Sequence, residues 1–428
     1  MNFAIETLGC KVNTYETNVM IDVLKNKGYN LINFNEIADI YIINTCTVTN
    51  NADHKSMKMI RQAIKRNPDA VIVVVGCLVQ TNDEIIDTIP GIDIILGNVH
   101  KSRIVDYIEE YLEKREPIKK LEDICNVDFE EMQLNNFNKT RAFVKIQDGC
   151  NNYCSYCIIP FARGNLRSKK PEIVIKEIKD LVNNGHQEIV LTGIHTGNYG
   201  VDLENYSLAK LLKEIMSINN LKRVRISSIE ITELSNEFMD VLKRYDVIVD
   251  HMHIPLQSGS NEILKLMNRK YNVEQFMNIL EKLRTIRPNM LITTDVIVGF
   301  PNETEELFLE TVATINKIKF SKLHVFPYSK REGTAAAKMK NHVDPVIKKE
   351  RVRKLLKLSK KLEVESMQKY LGKTIEFIPE VYKNEYLIGH ADNYLSIKAK
   401  GKIELLNKQV QVLISEIKHP YCIGELVQ

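Results

Sequence analysis

Short apolar runs alternate with stretches of helical periodicity along this chain. Of all its sequence features, this alternation excludes the largest number of possible folds. In residues 1–115 the apolar runs, which we expect to be buried strands, are residues 3–8, 39–44, 70–75 and 93–96. The stretches with helical spacing are residues 16–27, 51–66, 82–88 and 100–113. This β-α-β-α order predicts an α/β domain with a mostly parallel, doubly wound sheet.

The alternation begins again after a polar, acidic stretch, residues 116–139, which we interpret as a linker. The expected strands are residues 142–146, 188–192, 223–227, 251–254, 291–298 and 322–326. The expected helices are residues 171–184, 208–218, 262–267, 273–286 and 303–318. About six βα units favour a partial (β/α)6 barrel in residues 140–344 over a complete eight-unit barrel.

After residue 344 the sequence pattern changes twice, first to a basic helical stretch and then to short alternating runs. Residues 345–370 have the period of an amphipathic helix, and residues 338–370 contain 11 Lys and Arg against 4 Asp and Glu. A solvated helix face is the ordinary interpretation of such a charge run, and contact with RNA phosphates is the alternative. Alternating runs at residues 374–378, 395–399 and 410–414 then predict a small antiparallel β-barrel in residues 371–428.

Nothing in the sequence directs the chain to a membrane. No apolar run approaches the ~20 residues that span a bilayer. The N-terminus also lacks the charged and apolar regions of a signal peptide. We therefore expect a cytoplasmic protein with no membrane partner. In that reducing compartment its 8 cysteines are better explained as metal ligands or catalytic thiols than as disulfides.

Three of the cysteines stand close together in the sequence. Cys150, Cys154 and Cys157 have CxxxCxxC spacing and directly follow an expected strand. Three thiolates on one short loop can hold three irons of a [4Fe–4S] cluster and leave the fourth iron open to a ligand. Structural zinc is the competing interpretation, but it prefers four protein ligands, and no His or fourth Cys lies nearby.

Three further cysteines are far apart in the sequence but occupy equivalent positions. Cys10, Cys46 and Cys77 each follow an expected strand after one Gly or Thr. The carboxyl ends of parallel strands share one edge of the sheet, so these thiols are expected to meet there and hold a second cluster. Each cysteine alone would be a packing residue. Cys125 and Cys422 have no partner at useful spacing, and we interpret both as structural.

The cysteine loops and the residues around them resemble one family of enzymes. The loop at residues 150–157 is similar to the cluster loop of radical S-adenosylmethionine (SAM) enzymes. The other matching motifs resemble the methylthiotransferases of that superfamily: TLGCKVN at 7–13, NTCTVT at 44–49, VGC at 75–77, IIPFARG at 158–164, HIPLQSG at 253–259 and DVIVGFP at 295–301. The resemblance covers essentially the whole chain, including a terminal barrel similar to a TRAM domain.

The resemblance implies two [4Fe–4S] clusters with different tasks. The cluster on Cys150, Cys154 and Cys157 would bind SAM at its open iron and cleave it reductively to a 5′-deoxyadenosyl radical. The second cluster, on Cys10, Cys46 and Cys77, would carry the sulfur that is methylated and inserted. A second SAM would supply the methyl group.

The resemblance also suggests contacts to SAM at the ends of the central strands. Each of these residues has a plainer interpretation as a polar or apolar strand-end residue satisfied by its neighbours. Arg163, together with Arg167, would meet either the SAM carboxylate or a tRNA phosphate. The candidate SAM-binding residues are Thr192, Gly193, Ser227, Ser228, Glu230, Gln257, Asp295, Val298, Phe326 and Arg163.

Members of the family differ in substrate. The motifs CKVNTYET at 10–17, NNADHKS at 50–56 and YSKREGT at 328–334 look most like the branch that acts on N6-threonylcarbamoyladenosine. The implied reaction is methylthiolation of C2 of that nucleoside at position 37 of tRNA, next to the anticodon. The alternatives are N6-isopentenyladenosine in tRNA, an aspartate of a ribosomal protein, or an iron–sulfur electron carrier without transferase activity.

The implied partners are a tRNA and a one-electron reductant such as flavodoxin or ferredoxin. The sulfur donor is not identified by the sequence. We expect the enzyme to be a monomer. The terminal barrel, residues 371–428, has 7 Lys and Arg against 7 Asp and Glu. Its binding of RNA would therefore depend on the one-sided placement of those charges.

Overall fold

A computed structural model describes residues 1–137 and 139–427 of the chain. The N-terminal domain contains a six-stranded parallel sheet with strand order β2-β1-β3-β4-β5-β6. Its strands are β1 (Asn2–Thr7), β2 (Asn30–Leu31), β3 (Ile40–Thr45), β4 (Val71–Gly76), β5 (Ile94–Leu96) and β6 (Ile118–Lys120). Its helices are α1 (Lys11–Asn26), α2 (Asn50–Arg66), α3 (Cys77–Thr81), α4 (Asp83–Asp87) and α5 (Ile104–Lys114).

The N-terminal sheet is covered on both faces. Every residue of β3 and β4 is buried, as their unbroken apolar runs predict for central parallel strands. One hydrophobic cluster packs α1 and α5 against one face, and a second cluster packs α2, α3 and α4 against the other. The predicted doubly wound parallel sheet is therefore confirmed.

The stretch predicted as a linker is more ordered than its polar composition indicated. Near its start, one buried apolar residue, Ile118, and the two lysines after it form β6, which completes the edge of the N-terminal sheet beside β5. Further along, Met132, Leu134 and Phe137 are buried in the core of the next domain. A few well-placed apolar side chains are enough to fix this segment across both domains.

The central domain contains two parallel three-stranded sheets, with orders β11-β10-β7 and β12-β13-β14. An isolated bridge from Ser228 to His253 connects the two sheets, and another joins Val224 to Ile248 just before β12, which fits the predicted partial barrel. Its strands are β7 (Arg141–Lys145), β10 (Glu188–Thr192), β11 (Arg223–Ile226), β12 (His251–His253), β13 (Leu291–Val298) and β14 (Lys322–Pro327). The surrounding helices are α7 (Pro171–Asn183), α8 (Leu208–Ile215), α9 (Asn236–Arg244), α10 (Asn261–Leu266), α11 (Val273–Ile286) and α12 (Glu305–Ile318).

A short antiparallel ladder holds the loop with the CxxxCxxC motif. Strand β8 (Gln147–Asp148) pairs with β9 (Arg167–Ser168), and the short helix α6 (Ile159–Arg163) lies between them. The three cysteines follow β8 and precede α6. The loop is thus closed at its base instead of hanging free from the barrel.

A long helix and a closed barrel complete the chain. Helix α13 (Pro345–Gln368) buries Leu355, Ser359 and Leu362 on the face that packs against β14. The barrel has strand order β15-β16-β17-β19-β18. Its strands are β15 (Thr374–Lys383), β16 (Tyr386–Ala391), β17 (Ser396–Lys400), β18 (Val410–Lys418) and β19 (Tyr421–Leu426).

The barrel differs in one respect from the predicted antiparallel arrangement. Strands β17 and β19 run parallel, whereas the other four pairings are antiparallel. Strand β19 follows β18 through a hairpin, and this hairpin sets the direction of β19. As a result, β19 runs parallel to β17, its other neighbour. Among the described residues, no helix is both long and apolar enough to cross a membrane.

Candidate active site

Three cysteines lie at the carboxyl ends of three adjacent parallel strands. Cys10 is the N-cap of α1 after β1, Cys46 directly follows β3, and Cys77 begins α3 after β4. Cys46 and Cys77 are buried, whereas Cys10 is exposed at the open side of the edge. The order β1-β3-β4 therefore places the three thiols side by side at one edge of the sheet.

Backbone and amide groups surround these thiols closely. Gly9 adopts a left-handed φ of +103°, and a Cβ there would lie 2.6 Å from Cβ and 2.7 Å from Sγ of Cys46. The Asn98 amide donates to Sγ of Cys77 at 3.4 Å. Amide donation to sulfur stabilises a thiolate ligand, which is a common feature of iron–sulfur sites.

The second group of thiols lies on the loop between β8 and α6. Cys150, Cys154 and Cys157 are each partly exposed. The backbone NH of Cys157 donates to the carbonyl of Cys154 at 3.0 Å, which curls the loop around its sulfurs. A Cβ at Gly149 would lie 1.9 Å from the carbonyl oxygen of Asn165, so only glycine fits at the start of the loop.

Two basic side chains that the sequence patterns did not single out contact this loop. The Arg269 guanidinium donates to Sγ of Cys154 at 3.3 Å, and Nδ1 of His195 lies 3.7 Å from Sγ of Cys150. Although burial opposes protonation, hydrogen bonds to Cys150 and Glu233 raise the pKa of His195 to about 10. Neither residue belongs to a local motif of the cysteine loop, since Arg269 is 115 residues from Cys154.

The thiol environments suit clusters better than single metal ions. Burial raises the pKa of both Cys46 and Cys157 to about 12, because an isolated thiolate there would be poorly solvated. Iron bound to the sulfurs would supply the missing positive charge. No group of three His, Cys, Asp or Glu within residues 1–137 and 139–427 is close enough to hold one ion. In a cluster each thiolate binds its own iron, so wider spacing is required.

A buried ionic network joins the two cysteine regions. Arg163, fully buried, donates to Oε1 of Glu16 at 2.8 Å, to Oδ2 of Asp148 at 3.0 Å and to Oδ1 of Asn13 at 2.7 Å. Lys101 and Lys145 also pair with Glu16, and Lys145 with Asp148. Despite the cost of burial, these cations hold the pKa of Glu16 well below its usual range.

The network corrects the expected role of Arg163. The two terminal nitrogens of its guanidinium donate to Glu16, Asp148 and Asn13. Only Nε has no partner, and that atom is itself buried. The guanidinium is therefore not placed to meet a ligand carboxylate or an RNA phosphate. It instead connects α1 of the N-terminal domain to the base of the CxxxCxxC loop.

Several predicted SAM-binding residues lie at neighbouring strand ends. Thr192 ends β10 and accepts a hydrogen bond from the Ser227 hydroxyl, which follows β11, at 3.2 Å. Ser228 forms a backbone bridge with His253. Glu230 pairs with Arg269 at 2.8 Å and is thereby connected to the Cys154 sulfur. A Cβ at Gly193 would lie 2.9 Å from Oε1 of Gln147, so the backbone is tightly packed there.

The remaining predicted contacts lie on and around β13 and β14. Gln257 has a φ of +63° and forms a bridge with Val296, and its buried Oε1 has no partner among the described residues. Oδ1 of Asp295 lies 3.2 Å from Nε2 of His253. Val298 is buried at the end of β13, whereas 43% of Phe326 on β14 is exposed. Gln257 thus offers a hydrogen-bond acceptor without a partner, Asp295 offers a carboxylate, and Phe326 offers an exposed aromatic surface.

Family models match two regions of the chain. Residues 144–315 match the radical SAM superfamily, and residues 2–97 match a family described as uncharacterized protein family UPF0004. The first region contains Cys150, Cys154 and Cys157, and the second contains the other three thiols of the site. The radical SAM match implies SAM and one [4Fe–4S] cluster.

Relatives extend the likeness over nearly the whole chain. The chain is 48% identical over 99% of its length and 96% of the relative's to a Bacillus subtilis protein named threonylcarbamoyladenosine tRNA methylthiotransferase MtaB. It is 36% identical, over 100% of its length and 93% of the relative's, to a tRNA-2-methylthio-N(6)-dimethylallyladenosine synthase from Thermoanaerobacter. The solved radical SAM methyltransferase TsrM from Kitasatospora setae shares the fold, with a TM-score of 0.58, 15% identity and coverage of 78% of this chain and 73% of that one.

Proposed function

This chain belongs to the radical SAM methylthiotransferases, and we propose that it transfers a methylthio group to C2 of N6-threonylcarbamoyladenosine at position 37 of tRNA. The full-length similarity to the Bacillus MtaB protein supports this substrate. The relative that is named for a dimethylallyladenosine product is less similar, which favours the threonylcarbamoyl nucleoside over the isopentenyl alternative. We place the reaction in the cytoplasm, on a monomer supplied with electrons by a flavodoxin or ferredoxin.

The two thiol groups divide the work. Cys150, Cys154 and Cys157 would hold the cluster that binds SAM, and Cys10, Cys46 and Cys77 would hold a second cluster that supplies the sulfur. SAM bound to reduced iron supplies the radical chemistry needed to attack an unactivated aromatic C–H bond. The chain itself holds the sulfurs in place, and the Arg269 and Asn98 donors stabilise negative charge on them.

One contact carries the proposal that the two clusters serve one reaction. The Asn98 amide donates to Sγ of Cys77 at 3.4 Å and also to the backbone carbonyl of Ala162 at 2.7 Å. Ala162 belongs to α6, which follows the CxxxCxxC loop and packs against α3. Asn98 therefore connects the second thiol group to the helix that follows the CxxxCxxC loop.

Product analysis tests this function. Anaerobically reconstituted protein is reduced with SAM and either a threonylcarbamoyladenosine tRNA or an isopentenyladenosine tRNA, and the digested nucleosides are weighed. We expect a methylthio mass increase on the threonylcarbamoyl nucleoside alone. Formation of 5′-deoxyadenosine with neither nucleoside modified would contradict the tRNA assignment and favour a ribosomal-protein substrate.

The close approach of Gly9 to Cys46 gives a prediction about the second cluster. We expect Gly9→Ala to displace the Cys46 thiol and to remove about half of the iron and labile sulfide, since one of two clusters is lost. Gly185→Ala is the matched control, because Gly185 also has a left-handed φ, of +94°, but has open space around it. Full iron content in the Gly9 variant would show that the thiol position is not needed.

Two exposed basic helix faces suit a tRNA backbone. Helix α13 exposes lysines and arginines on the side opposite β14. Helix α2, which starts four residues after Cys46, has 5 Lys and Arg against one Asp, and Lys58, Arg61 and Lys65 lie on one exposed face beside a groove of about 710 Å³. Phosphate contacts of this kind supply affinity without sequence information.

The α2 face gives a prediction about affinity. We expect the triple variant Lys58→Glu, Arg61→Glu, Lys65→Glu to weaken tRNA binding roughly a hundredfold at low salt and to flatten the dependence of affinity on salt. Reversal of two exposed lysines on α7, Lys176→Glu and Lys179→Glu, should change affinity little. Equal effects of the two sets, measured by fluorescence anisotropy over a salt series, would indicate general charge attraction and not docking on α2.

A further inference from the structure

One segment of the central domain contacts both cysteine regions. This segment, residues 328–336, lies between β14 and α13, and we call it the strap. It contains the motif YSKREGT at 328–334 but no cysteine. Its role must therefore come from the residues that it holds together.

One contact of the strap is with the loop that carries Cys46. Arg331, which is 9% exposed, donates to the hydroxyl of Thr47, the residue directly after Cys46. It also donates to Oδ1 of Asn50 and to Oδ2 of Asp53 at the start of α2, both at 2.7 Å. The guanidinium thus holds the loop between β3 and α2 at both of its ends.

Backbone groups fix the position of this arginine. The carbonyl of Arg331 accepts from the amide of Thr334 at 3.2 Å and from its hydroxyl at 2.7 Å, which closes a turn within the strap. The amide of Asn50 donates to the Ser329 hydroxyl at 3.2 Å. The motif YSKREGT is therefore joined at several points to the motif NNADHKS at 50–56.

The other contact of the strap is with the CxxxCxxC loop. The amide of Ala336, a fully buried residue, donates to the carbonyl of Ser155 at 2.7 Å. Ser155 lies between Cys154 and Cys157. The strap therefore forms a direct hydrogen bond with the backbone that carries these two thiols.

Packed aromatic rings reinforce the second contact. Tyr328, the first residue of the strap, packs edge-on against Phe300, with ring centroids 5.3 Å apart. Phe300 packs in the same way against Tyr156 of the CxxxCxxC loop, at 6.4 Å. Tyr328 and Phe300 are both buried, so these rings have little freedom to move.

An ordinary salt bridge between domains is the plainer explanation of Arg331. Replacing a buried ion pair by well-packed apolar residues is often neutral or stabilising, and the best-attested use of such pairs is to fix one geometry. The strap contacts the two loops that carry thiols, next to Cys46 on one side and between Cys154 and Cys157 on the other. These contacts favour a role in positioning over a role in stability alone.

We propose that the strap sets the position of the second thiol group relative to the CxxxCxxC loop, with Arg331 as its positioning residue. The inference rests on the proposed function, in which one cluster generates the radical and the other carries the sulfur. A misplacement of about 1 Å between reacting groups can cost roughly a hundredfold in rate. Arg331 acts through Thr47 and α2 and needs no contact with the substrate.

The test separates methylthio transfer from SAM cleavage. Reconstituted, reduced enzyme is given SAM and threonylcarbamoyladenosine tRNA, and the ratio of methylthio nucleoside to 5′-deoxyadenosine is measured. We expect Arg331→Met to lower that ratio roughly tenfold to a hundredfold, while SAM cleavage stays within about threefold of wild type. Arg331→Lys should lose less, because its ammonium can still pair with Asp53.

A second readout does not depend on activity. In the electron paramagnetic resonance spectrum of the fully reduced protein, the magnetic interaction between the two clusters reports their separation. This interaction should change in Arg331→Met and stay as in the wild type in Lys330→Met, whose side chain is exposed on the same strap. The iron content of each variant shows whether both clusters are present.

The two readouts decide the inference together. An Arg331→Met variant with an unchanged product ratio or an unchanged magnetic interaction overturns it, even where the variant is less stable, because Arg331 would then be a structural contact only. Absence of methylthio product in the wild type would instead overturn the proposed function. In that case the magnetic interaction alone still tests the strap.

Discussion

Replacing Cys77 with alanine is expected to abolish methylthio product while leaving SAM cleavage to 5′-deoxyadenosine largely intact. The thiol is 3% exposed at the carboxyl end of β4, and the loop that would hold the SAM-binding cluster keeps all three of its own thiols. Product nucleoside and 5′-deoxyadenosine, quantified in the same reaction, give the two readouts. Product should fall below detection while cleavage stays within about threefold of wild type, since the remaining cluster has its three ligands.

Two other cysteine variants are controls for that uncoupling. Cys157→Ala should lose both product and SAM cleavage, because it removes one of the three thiols proposed to hold the SAM-binding cluster. Cys125→Ala should keep both, since Cys125 is exposed and lies outside the two thiol groups. Loss of SAM cleavage in Cys77→Ala would mean that the two thiol groups do not act separately.

Replacing Arg163 with methionine is expected to lower the free energy of unfolding by about 3–5 kcal/mol, the cost of breaking a buried ion pair by removing one partner. The guanidinium lies between Glu16 and Asp148, and neither carboxylate is accessible to water for compensation. Glu16 keeps Lys101 and Lys145, so the loss is partly offset. Chemical denaturation of the variant and the wild type, both followed by circular dichroism, measures the difference.

Arg103→Met is the matched control for the stability prediction. Arg103 pairs with Asp106 at 3.0 Å, but both side chains are more than half exposed. Exposed pairs of this kind contribute little to stability, so the Arg103 variant should unfold almost as the wild type does. Similar losses of stability in the two variants would show that the ionic network around Glu16 does not stabilise the contact between the N-terminal and central domains.

Periodicity was sufficient to predict the parts of the fold that depend on local pattern. The unbroken apolar runs of β3 and β4 identified central parallel strands, and the cysteines that end them could be placed at one edge on topology alone. The CxxxCxxC loop needed only local spacing. In each case the signal lies within a few residues of the feature that it predicts.

Contacts between distant segments could not be predicted in this way. Arg163 is 147 residues from Glu16, and no spacing rule connects a buried cation with a carboxylate at that separation. The sequence placed Arg163 near the SAM site because it is close to the cluster loop, whereas the fold turns it toward α1.

The number of clusters tests the account most directly. Iron, labile sulfide and the electron paramagnetic resonance spectrum of the reduced protein would be measured for the wild type and for two triple alanine variants, one at Cys10, Cys46 and Cys77 and one at Cys150, Cys154 and Cys157. We expect about eight irons in the wild type and about four in each variant, with two distinct spectra that together account for that of the wild type. About four irons in the wild type, all retained when the N-terminal thiols are removed, would contradict the proposal of a second, sulfur-supplying cluster.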